Sequence, residues 1–266
     1  MNRLHAVSTP EDIKPGDAYV QSFARGLSVI RAFNAKHPAM TLTEVAEVSG
    51  LTRAGARRIL LTLVQLGYMV NEGRLFRLTP RILELGFAYL TSMPFWDLAE
   101  PIMESLANEV HESCSATVLD GVDIVYVLRI PTGKIMSINL GIGSRLPAYC
   151  SAMGRVLLAG LTDDEVDAVL QRSDLRAHTP LTIVDPVQLR QAIQQVRRQG
   201  WSLVDQELET GLVAISVPIR DRNGRTVAAL NLSGQAHRIT AAQMQERLLP
   251  PLCAAAERIN ALMKRV

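Results

Sequence analysis

The chain contains 266 residues, of which 48% are hydrophobic and 20% are charged, and its formal net charge is +2. This balance is typical of a folded globular protein and excludes a disordered or fibrous one, and the length suits one large domain or two ordinary ones. No apolar run approaches the roughly 18–20 residues that span a bilayer, and the first residues lack the apolar segment of a secretion signal. We therefore expect a cytoplasmic protein without a membrane partner.

The charge is distributed unevenly along the chain. Residues 18–81 contain nine Lys and Arg against three Asp and Glu, whereas the remaining residues contain 19 against 23. A basic module joined to a mildly acidic one indicates a polyanion that only one end of the protein contacts.

The basic part of the chain follows the pattern of a winged helix. Residues 1–17 have no apolar periodicity and are predicted to form a flexible arm, and apolar residues at helical spacing predict a first helix over 18–33. The capping-box pattern Thr41-Leu42-Thr43-Glu44 begins a short helix, and a longer helix is predicted over 52–66. Gly50 lies between them, where the turn needs a residue that tolerates a positive φ.

The wing and a connector are predicted to follow. Strand signals at 68–70 and 75–78 surround a turn, so residues 18–79 are expected to form a winged helix-turn-helix DNA-binding domain. Thr79-Pro80 has the form of an N-cap followed by proline in the first turn, which predicts a linker helix over 80–92.

Residues 93–266 are predicted to form a second domain, in which strands are grouped with helices at their margins. This arrangement indicates an α+β fold with a mostly antiparallel sheet. Asp120-Gly121 predicts a hairpin turn, and Pro250-Pro251 predicts a kink in the last helix. The predicted helices are 97–110, 151–159, 162–171, 186–199 and 240–264, and the predicted strands are 115–119, 124–128, 134–140, 213–219 and 226–232.

The second helix of the helix-turn-helix pattern presents a basic outward face. Arg53 and Arg57 are one turn apart and project together, and an arginine in the major groove can bind guanine O6 and N7 as a fork. A helical hairpin with a solvated basic face would show the same spacing. Arginines on the first helix and on the wing are expected to contact phosphates. The predicted DNA contacts are Arg25, Thr43, Thr52, Arg53, Ala54, Arg57, Arg58, Arg74 and Arg77.

At these residues the chain resembles the IclR family of bacterial transcriptional regulators, and the resemblance extends from Ser22 to about Met263. Residues 22–27 resemble the family's opening helix, and residues 50–68 resemble its recognition helix and the entry to its wing. The more specific stretches lie in the second domain and are Arg145–Leu157 (RLPAYCSAMGRVL), Asp205–Leu212 (DQELETGL) and Ala229–Ser233 (ALNLS).

The first two of these stretches are most similar to the branch that governs aromatic-acid breakdown through protocatechuate and β-ketoadipate. That branch commonly reads Gly-Leu-Arg-Ser-Ile-Ala-Val-Pro, where this chain reads GLVAISVP at 211–218. This chain has Val213 where the branch has arginine, and its serine is at position 216 and not at the position after the arginine. The resemblance therefore does not identify the particular ligand. The resemblance implies a GAF-like effector domain, dimers or tetramers, and small carboxylates as inducers.

A sheet flanked by helices readily forms a pocket with apolar walls and a few polar groups. A buried carboxylate needs a cation or backbone amides, because an unpaired buried anion is costly. We expect the carboxylate to be held by Arg145 or by the amides at 151–154, with Arg129 as the reserve cation. The alternative for either arginine is an ion pair with Asp205 or Glu207, which at spacing i, i+2 on a strand would face the same side.

The candidate pocket combines apolar wall residues with polar groups drawn from several predicted strands and one helix start. The predicted effector-binding residues are Arg129, Met136, Ser137, Arg145, Leu146, Cys150, Ser151, Met153, Gly154, Asp205, Glu207, Ala214, Ser216, Asn231 and Ser233.

An enzyme is not expected from this sequence. Cys150 and the five histidines show no nucleophile-elbow or triad signature, and a cysteine beside an apolar helix is more often a packed small hydrophobe than a ligand contact. His111 and Cys114 offer two metal ligands where structural zinc usually takes four, and phosphate-binding glycine patterns are absent. We therefore expect no catalytic residue, metal or cofactor.

The sequence predicts a DNA-binding transcriptional regulator controlled by a small carboxylate of the protocatechuate, 4-hydroxybenzoate or β-ketoadipate type. Two copies would bind a pseudo-palindromic operator as a homodimer or tetramer, and RNA polymerase is a further candidate partner. The alternative is a small-molecule-binding protein whose basic N-terminal domain contacts other proteins. DNA binding that weakens steeply with salt is expected from the regulator alone.

Overall fold

The computed structural model describes residues 19–92, 95–132 and 140–264. The chain divides into two units at Ser92/Met93, and each unit has its own cluster of buried apolar side chains. In the described ranges no helix is both long and apolar enough to cross a membrane.

The first unit combines helices with a small antiparallel sheet of strand order β1-β3-β2. The strand β1 was not predicted, because two residues are too few to show a period of two. A 3₁₀ turn over 80–82 precedes the last helix. The elements are α1 (Gln21–Ala32), β1 (Met40–Thr41), α2 (Leu42–Val48), α3 (Arg53–Gln65), β2 (Met69–Glu72), β3 (Leu75–Leu78) and α4 (Leu83–Thr91).

The start of α2 has the capping box that the sequence predicts. The Thr41 hydroxyl accepts a hydrogen bond from the Glu44 amide, and the Glu44 carboxylate accepts one from the Thr41 amide at 2.7 Å. The Thr41 backbone amide lowers the pKa of Glu44, because this hydrogen bond favours the carboxylate. Gly50 has a φ of 65°, so the turn between α2 and α3 uses the freedom of glycine as expected.

The predicted N-cap at Thr79 is wrong. The Thr79 hydroxyl donates instead to the Gly67 carbonyl at 2.6 Å, and its backbone amide donates to the Tyr68 carbonyl at 2.9 Å. These bonds connect the end of the wing to the end of α3. The connector therefore begins as a 3₁₀ turn, and α4 starts only at Leu83.

The second unit confirms the α+β prediction. Its six-stranded sheet has the order β6-β5-β4-β9-β8-β7, and every neighbouring pair is antiparallel. Helix α6 contacts β4, β5, β7, β8 and β9, whereas α10 contacts β8 and β9 and α5 contacts β4 and β5. The elements are α5 (Phe95–Val110), β4 (Ser113–Asp120), β5 (Asp123–Ile130), β6 (Arg145–Pro147), α6 (Ala152–Ala159), α7 (Asp163–Arg172), α8 (Pro186–Gln199), β7 (Ser202–Asp205), β8 (Leu212–Arg220), β9 (Thr226–Gln235), α9 (Ala241–Gln243) and α10 (Leu249–Met263).

Two local predictions for this unit change. The strand predicted over 134–140 lies outside the described residues except for Leu140, which is not in a strand, and β6 pairs with β5 instead. The irregularity in the last helix is a π-helical turn over Met244–Leu248, which precedes the prolines. Pro250 and Pro251 lie in the first turn of α10, directly after this π-helical turn.

Candidate DNA-binding surface and effector cavity

The helix α3 buries one face and exposes its basic face. Ala56, Leu60 and Leu63 are buried against α1 and α2, with Val45 and Ala46 of α2 in the same cluster. The outward residues of α3 are all exposed, and they are the predicted contacts Arg53, Ala54, Arg57 and Arg58.

These arginines carry charge that no acidic side chain of the described residues neutralises. Arg53, Arg57, Arg58, Arg25 and Arg74 are exposed and form no ion pair within the part of the chain that the structure describes. Such cations are available to a polyanion without first breaking an internal contact.

Two predicted DNA contacts have internal partners. On the wing, Arg77 Nε lies 3.2 Å from a Glu72 carboxylate oxygen, with both side chains about half exposed. The Thr52 hydroxyl caps α3 by accepting a hydrogen bond from the Gly55 amide at 3.1 Å. Thr43, in the first turn of α2, is exposed.

A cavity lies in the second unit between the sheet and the start of α6. Its lining is mostly apolar with a few hydroxyl and amide groups, as expected for a small-molecule site. The described lining residues are Ser115, Tyr126, Arg129, Leu140, Leu146, Cys150, Ser151, Ala152, Met153, Val204, Leu208, Leu212, Ala214, Asn231 and Ser233.

The structure places part of the predicted effector set at this cavity. Eight of those residues line it: Arg129, Leu146, Cys150, Ser151, Met153, Ala214, Asn231 and Ser233. Met136 and Ser137 lie outside the described residues. The remaining five, which do not line it, are Arg145, Gly154, Asp205, Glu207 and Ser216.

Arg145 belongs to the outer edge of the sheet. Its Nη1 lies 2.5 Å from an Asp120 carboxylate oxygen and its Nε lies 3.1 Å from one of Asp123. The side chain is 44% exposed. Arg145 therefore forms an ion pair, as the alternative prediction proposed. Its acidic partners are Asp120 and Asp123 at the β4–β5 turn, however, and not Asp205 or Glu207.

Asp205 and Glu207 do not share a strand face, so that expectation is wrong. The strand β7 ends at Asp205, and Gln206 has a left-handed φ of 59° that turns the chain. Glu207 is directed inward, where its carboxylate accepts two hydrogen bonds of 2.6 Å from the Arg155 guanidinium and one from the Ile183 amide. Both charged groups are almost fully buried, so Glu207 is already occupied by a structural partner.

Arg155 also joins two walls of the cavity. Its Nε donates to the Tyr149 carbonyl at 3.0 Å, while Glu207 follows β7 and is next to the cavity residue Leu208. The bidentate pair thus connects α6 to the 206–212 segment. Arg155 and Glu207 are 52 residues apart in the chain, so their spacing in the sequence does not predict this contact.

The start of α6 is packed too closely for any side chain at Gly154. A Cβ at that position would lie 2.0 Å from the Ala148 carbonyl oxygen, so Gly154 permits the close approach. The Ser151 hydroxyl accepts a hydrogen bond from the Gly154 amide at 3.1 Å. The Gly154 amide of the predicted nest is therefore used within the start of the helix, while the residues Ala152 and Met153 line the cavity.

Strand pairing arranges polar side chains in one row across five strands of the sheet. Cross-strand partners share a face, and the pairs run from Arg129 to Ser115, then to Asn231, Ser216 and Ser202. Ser115 was missed at the cavity although it pairs with two predicted residues. Counting from the Asp120-Gly121 turn does not give the pairing of Ser115 with Arg129, because a β-bulge between the turn and Ser115 shifts the register by one residue.

Burial determines the protonation of two cavity side chains. It raises the pKa of Cys150 to about 12, so the thiol is protonated and is not a reactive thiolate. Burial likewise raises the pKa of Tyr126 to about 12, against a smaller opposing effect of Arg129. The Tyr126 hydroxyl therefore remains a hydrogen-bond donor at neutral pH.

A winged helix with an exposed basic face, together with a separate cavity for a small molecule, defines a ligand-responsive DNA-binding protein. Residues 22–73 match the IclR helix-turn-helix domain, and residues 87–261 match the domain described as "Bacterial transcriptional regulator IclR C-terminal". The chain belongs to the IclR family of bacterial transcriptional regulators, which confirms the resemblance found in the sequence.

The relatives are regulators of similar length. The Pca regulon regulatory protein of Pseudomonas putida is 44% identical over 89% of this chain and 82% of its own. A crystal structure of a transcriptional regulator from Rhodococcus sp. RHA1 is 48% identical, covers 93% of this chain and 99% of that one, and has a TM-score of 0.84. An IclR homologue from Microbacterium hydrocarbonoxydans, solved with 4-hydroxybenzoate, is 25% identical with a TM-score of 0.81, covering 92% of this chain and all of that one.

Proposed function

We propose that this regulator senses a small aromatic carboxylate of the protocatechuate or 4-hydroxybenzoate type, and that the acid binds in the cavity beside α6. One observation carries the proposal. Among the described residues that line the cavity, Arg129 is the only charged one, and the others are apolar or uncharged polar residues. Such a lining favours an anion with an apolar body.

The carboxylate is assigned to the end of the cavity that holds Arg129. The Arg129 Nη1 donates to the Leu140 carbonyl at 2.7 Å, which orients the guanidinium beside another lining residue. Tyr126, on the same strand, offers a protonated hydroxyl to an anion. The amides of Ala152 and Met153 add the partial positive charge of the α6 N-terminus.

Calorimetry with 4-hydroxybenzoate and its neutral amide tests the charge of the effector. Wild type should bind the acid and discriminate against the amide, and Arg129→Met should weaken acid binding by about 1.5–3 kcal/mol through loss of a charge-assisted contact. Arg145→Met is the matched control, because Arg145 has the same charge but lies outside the cavity. Equal binding of acid and amide by wild type would contradict the proposal.

The DNA complex that we propose contains two copies of the chain. Each would place the start of α3 in one half-site of a pseudo-palindromic operator, with Arg53 and Arg57 at base edges. Arg25, Arg74 and Arg58, which are exposed and have no ion-pair partner among the described residues, would contact phosphates. We further propose a homodimer or tetramer in which effector binding alters DNA affinity, and RNA polymerase as the downstream partner.

A further inference from the structure

The side-chain oxygen of Asn231 is unusual among the polar atoms of the cavity. Asn231 is 2% exposed, and its Oδ1 is buried without a hydrogen bond to any described residue. Asn231 lies on β9, in the middle of the sheet, and its side chain lines the cavity. A buried carbonyl oxygen without a donor is unfavourable, so the position calls for a donor from a bound molecule.

The neighbours in the polar row do not supply that donor. Ser216 is the partner of Asn231 on β8, and its hydroxyl donates a hydrogen bond to the Leu230 carbonyl at 2.8 Å. Ser115, the partner on β4, makes no side-chain hydrogen bond within the described residues. Two further orphan hydroxyls, those of Thr117 and Ser202, do not line the cavity, which distinguishes the oxygen of Asn231 from them.

The sheet also separates this acceptor from the cationic end of the cavity. Arg129 pairs with Ser115, and Ser115 pairs with Asn231, so two strand spacings lie between them. Neighbouring strands are about 4.8 Å apart, which places the two Cα atoms about 10 Å from each other. A molecule that fills the space across Ser115 can contact both side chains at once.

We propose that Asn231 is the specificity-determining residue of the cavity and accepts a hydrogen bond from a ring hydroxyl of the effector. The inference rests on the proposed function, because it assigns the carboxylate to the Arg129 end. It deepens that function by naming the class: a hydroxylated aromatic acid binds in preference to the unsubstituted acid, to an ether that cannot donate, and to an aliphatic keto diacid.

The test is calorimetry on the full chain with benzoate, 3- and 4-hydroxybenzoate, 4-methoxybenzoate and β-ketoadipate. Wild type should bind the better hydroxybenzoate about tenfold or more tightly than benzoate or the ether, because one acceptor is satisfied only by the hydroxyl. Asn231→Leu has similar volume and no acceptor, and it should bring the ratio of hydroxybenzoate affinity to benzoate affinity down to about one. Ser216→Ala, in the same row but away from the cavity, should preserve the preference.

The outcomes separate the two proposals. If wild type binds none of the acids, the proposed function fails and the inference fails with it. Equal affinity of wild type for benzoate and both hydroxybenzoates overturns the inference and leaves a sensor of an aromatic carboxylate. A preference of wild type for β-ketoadipate overturns both proposals, because that acid is aliphatic. If Asn231→Leu does not fold, the wild-type series alone decides.

Discussion

The arginines of the two units are used in opposite ways. Arg53 and Arg57 are exposed on α3 and meet no acid among the described residues. Arg155 is 4% exposed, and Glu207 binds its guanidinium through two hydrogen bonds of 2.6 Å. An exposed unpaired cation is available to bind DNA, whereas a buried paired cation is committed to the fold. The comparison shows that burial and the presence of an acidic partner decide what an arginine does in this chain.

Removing one member of the buried pair should give the largest effect. Arg155→Met leaves the Glu207 carboxylate buried without its cation, and breaking such a pair typically costs about 3–5 kcal/mol of unfolding free energy. Urea denaturation followed by circular dichroism measures this loss. Arg145→Met breaks a half-exposed pair and is the matched control, with an expected cost of about 1 kcal/mol or less. Equal losses from the two variants would show that burial of the pair does not matter.

The exposed arginines should show the reverse pattern, with DNA binding affected and folding unaffected. Arg53→Ala and Arg57→Ala should each weaken operator binding by about 1–3 kcal/mol and relax base preference at one position. Footprinting and urea denaturation measure the two properties. Arg198→Ala, an exposed arginine of α8, removes the same charge from the other unit and should change neither. Unchanged base preference in both α3 variants would contradict their assignment to base edges.

A smaller effect is expected at the start of α2. Thr41→Ala removes the N-cap and should cost about 1 kcal/mol of stability, whereas Thr43→Ala changes an exposed residue and should cost less than about 0.5 kcal/mol. Because the pKa of Glu44 is lowered in the folded chain, its contribution is complete above its ordinary value and is lost as pH falls through the lowered pKa. Thermal melts of the variants between pH 3 and 7 test this, and a larger effect of Thr43→Ala would contradict the capping account.

The sequence predicted the first unit better than the cavity, for a physical reason. Gly50, the Thr41–Glu44 box and the spacing of Arg53 and Arg57 are local patterns, and helix geometry alone converts them into a surface. The neighbours of Arg145 and Glu207 depend on contacts between distant segments. Arg145 lies 22 residues after Asp123 and 25 after Asp120, so the sequence does not show that these residues are in contact. For this reason Arg145 was available for assignment to the effector.

Some of the predicted effector residues that line the cavity share a simple property. Asn231 and Ser233 alternate along one strand, and Ser151 and Met153 begin one helix, so each pair follows from a local period. Tyr126 and Leu208 were missed because a β-bulge and the turn at Gln206 interrupt the local period beside them.

The central claim is that a charged small molecule in one unit controls DNA binding by the other. The most direct test measures affinity for the DNA upstream of the protein's own gene as a function of salt, with and without saturating 4-hydroxybenzoate. We predict a steep decrease of log affinity with log salt, and a shift of the whole line by the acid but not by its amide. Affinity that does not depend on salt, or a line that the acid leaves in place while calorimetry shows it bound, would contradict the account.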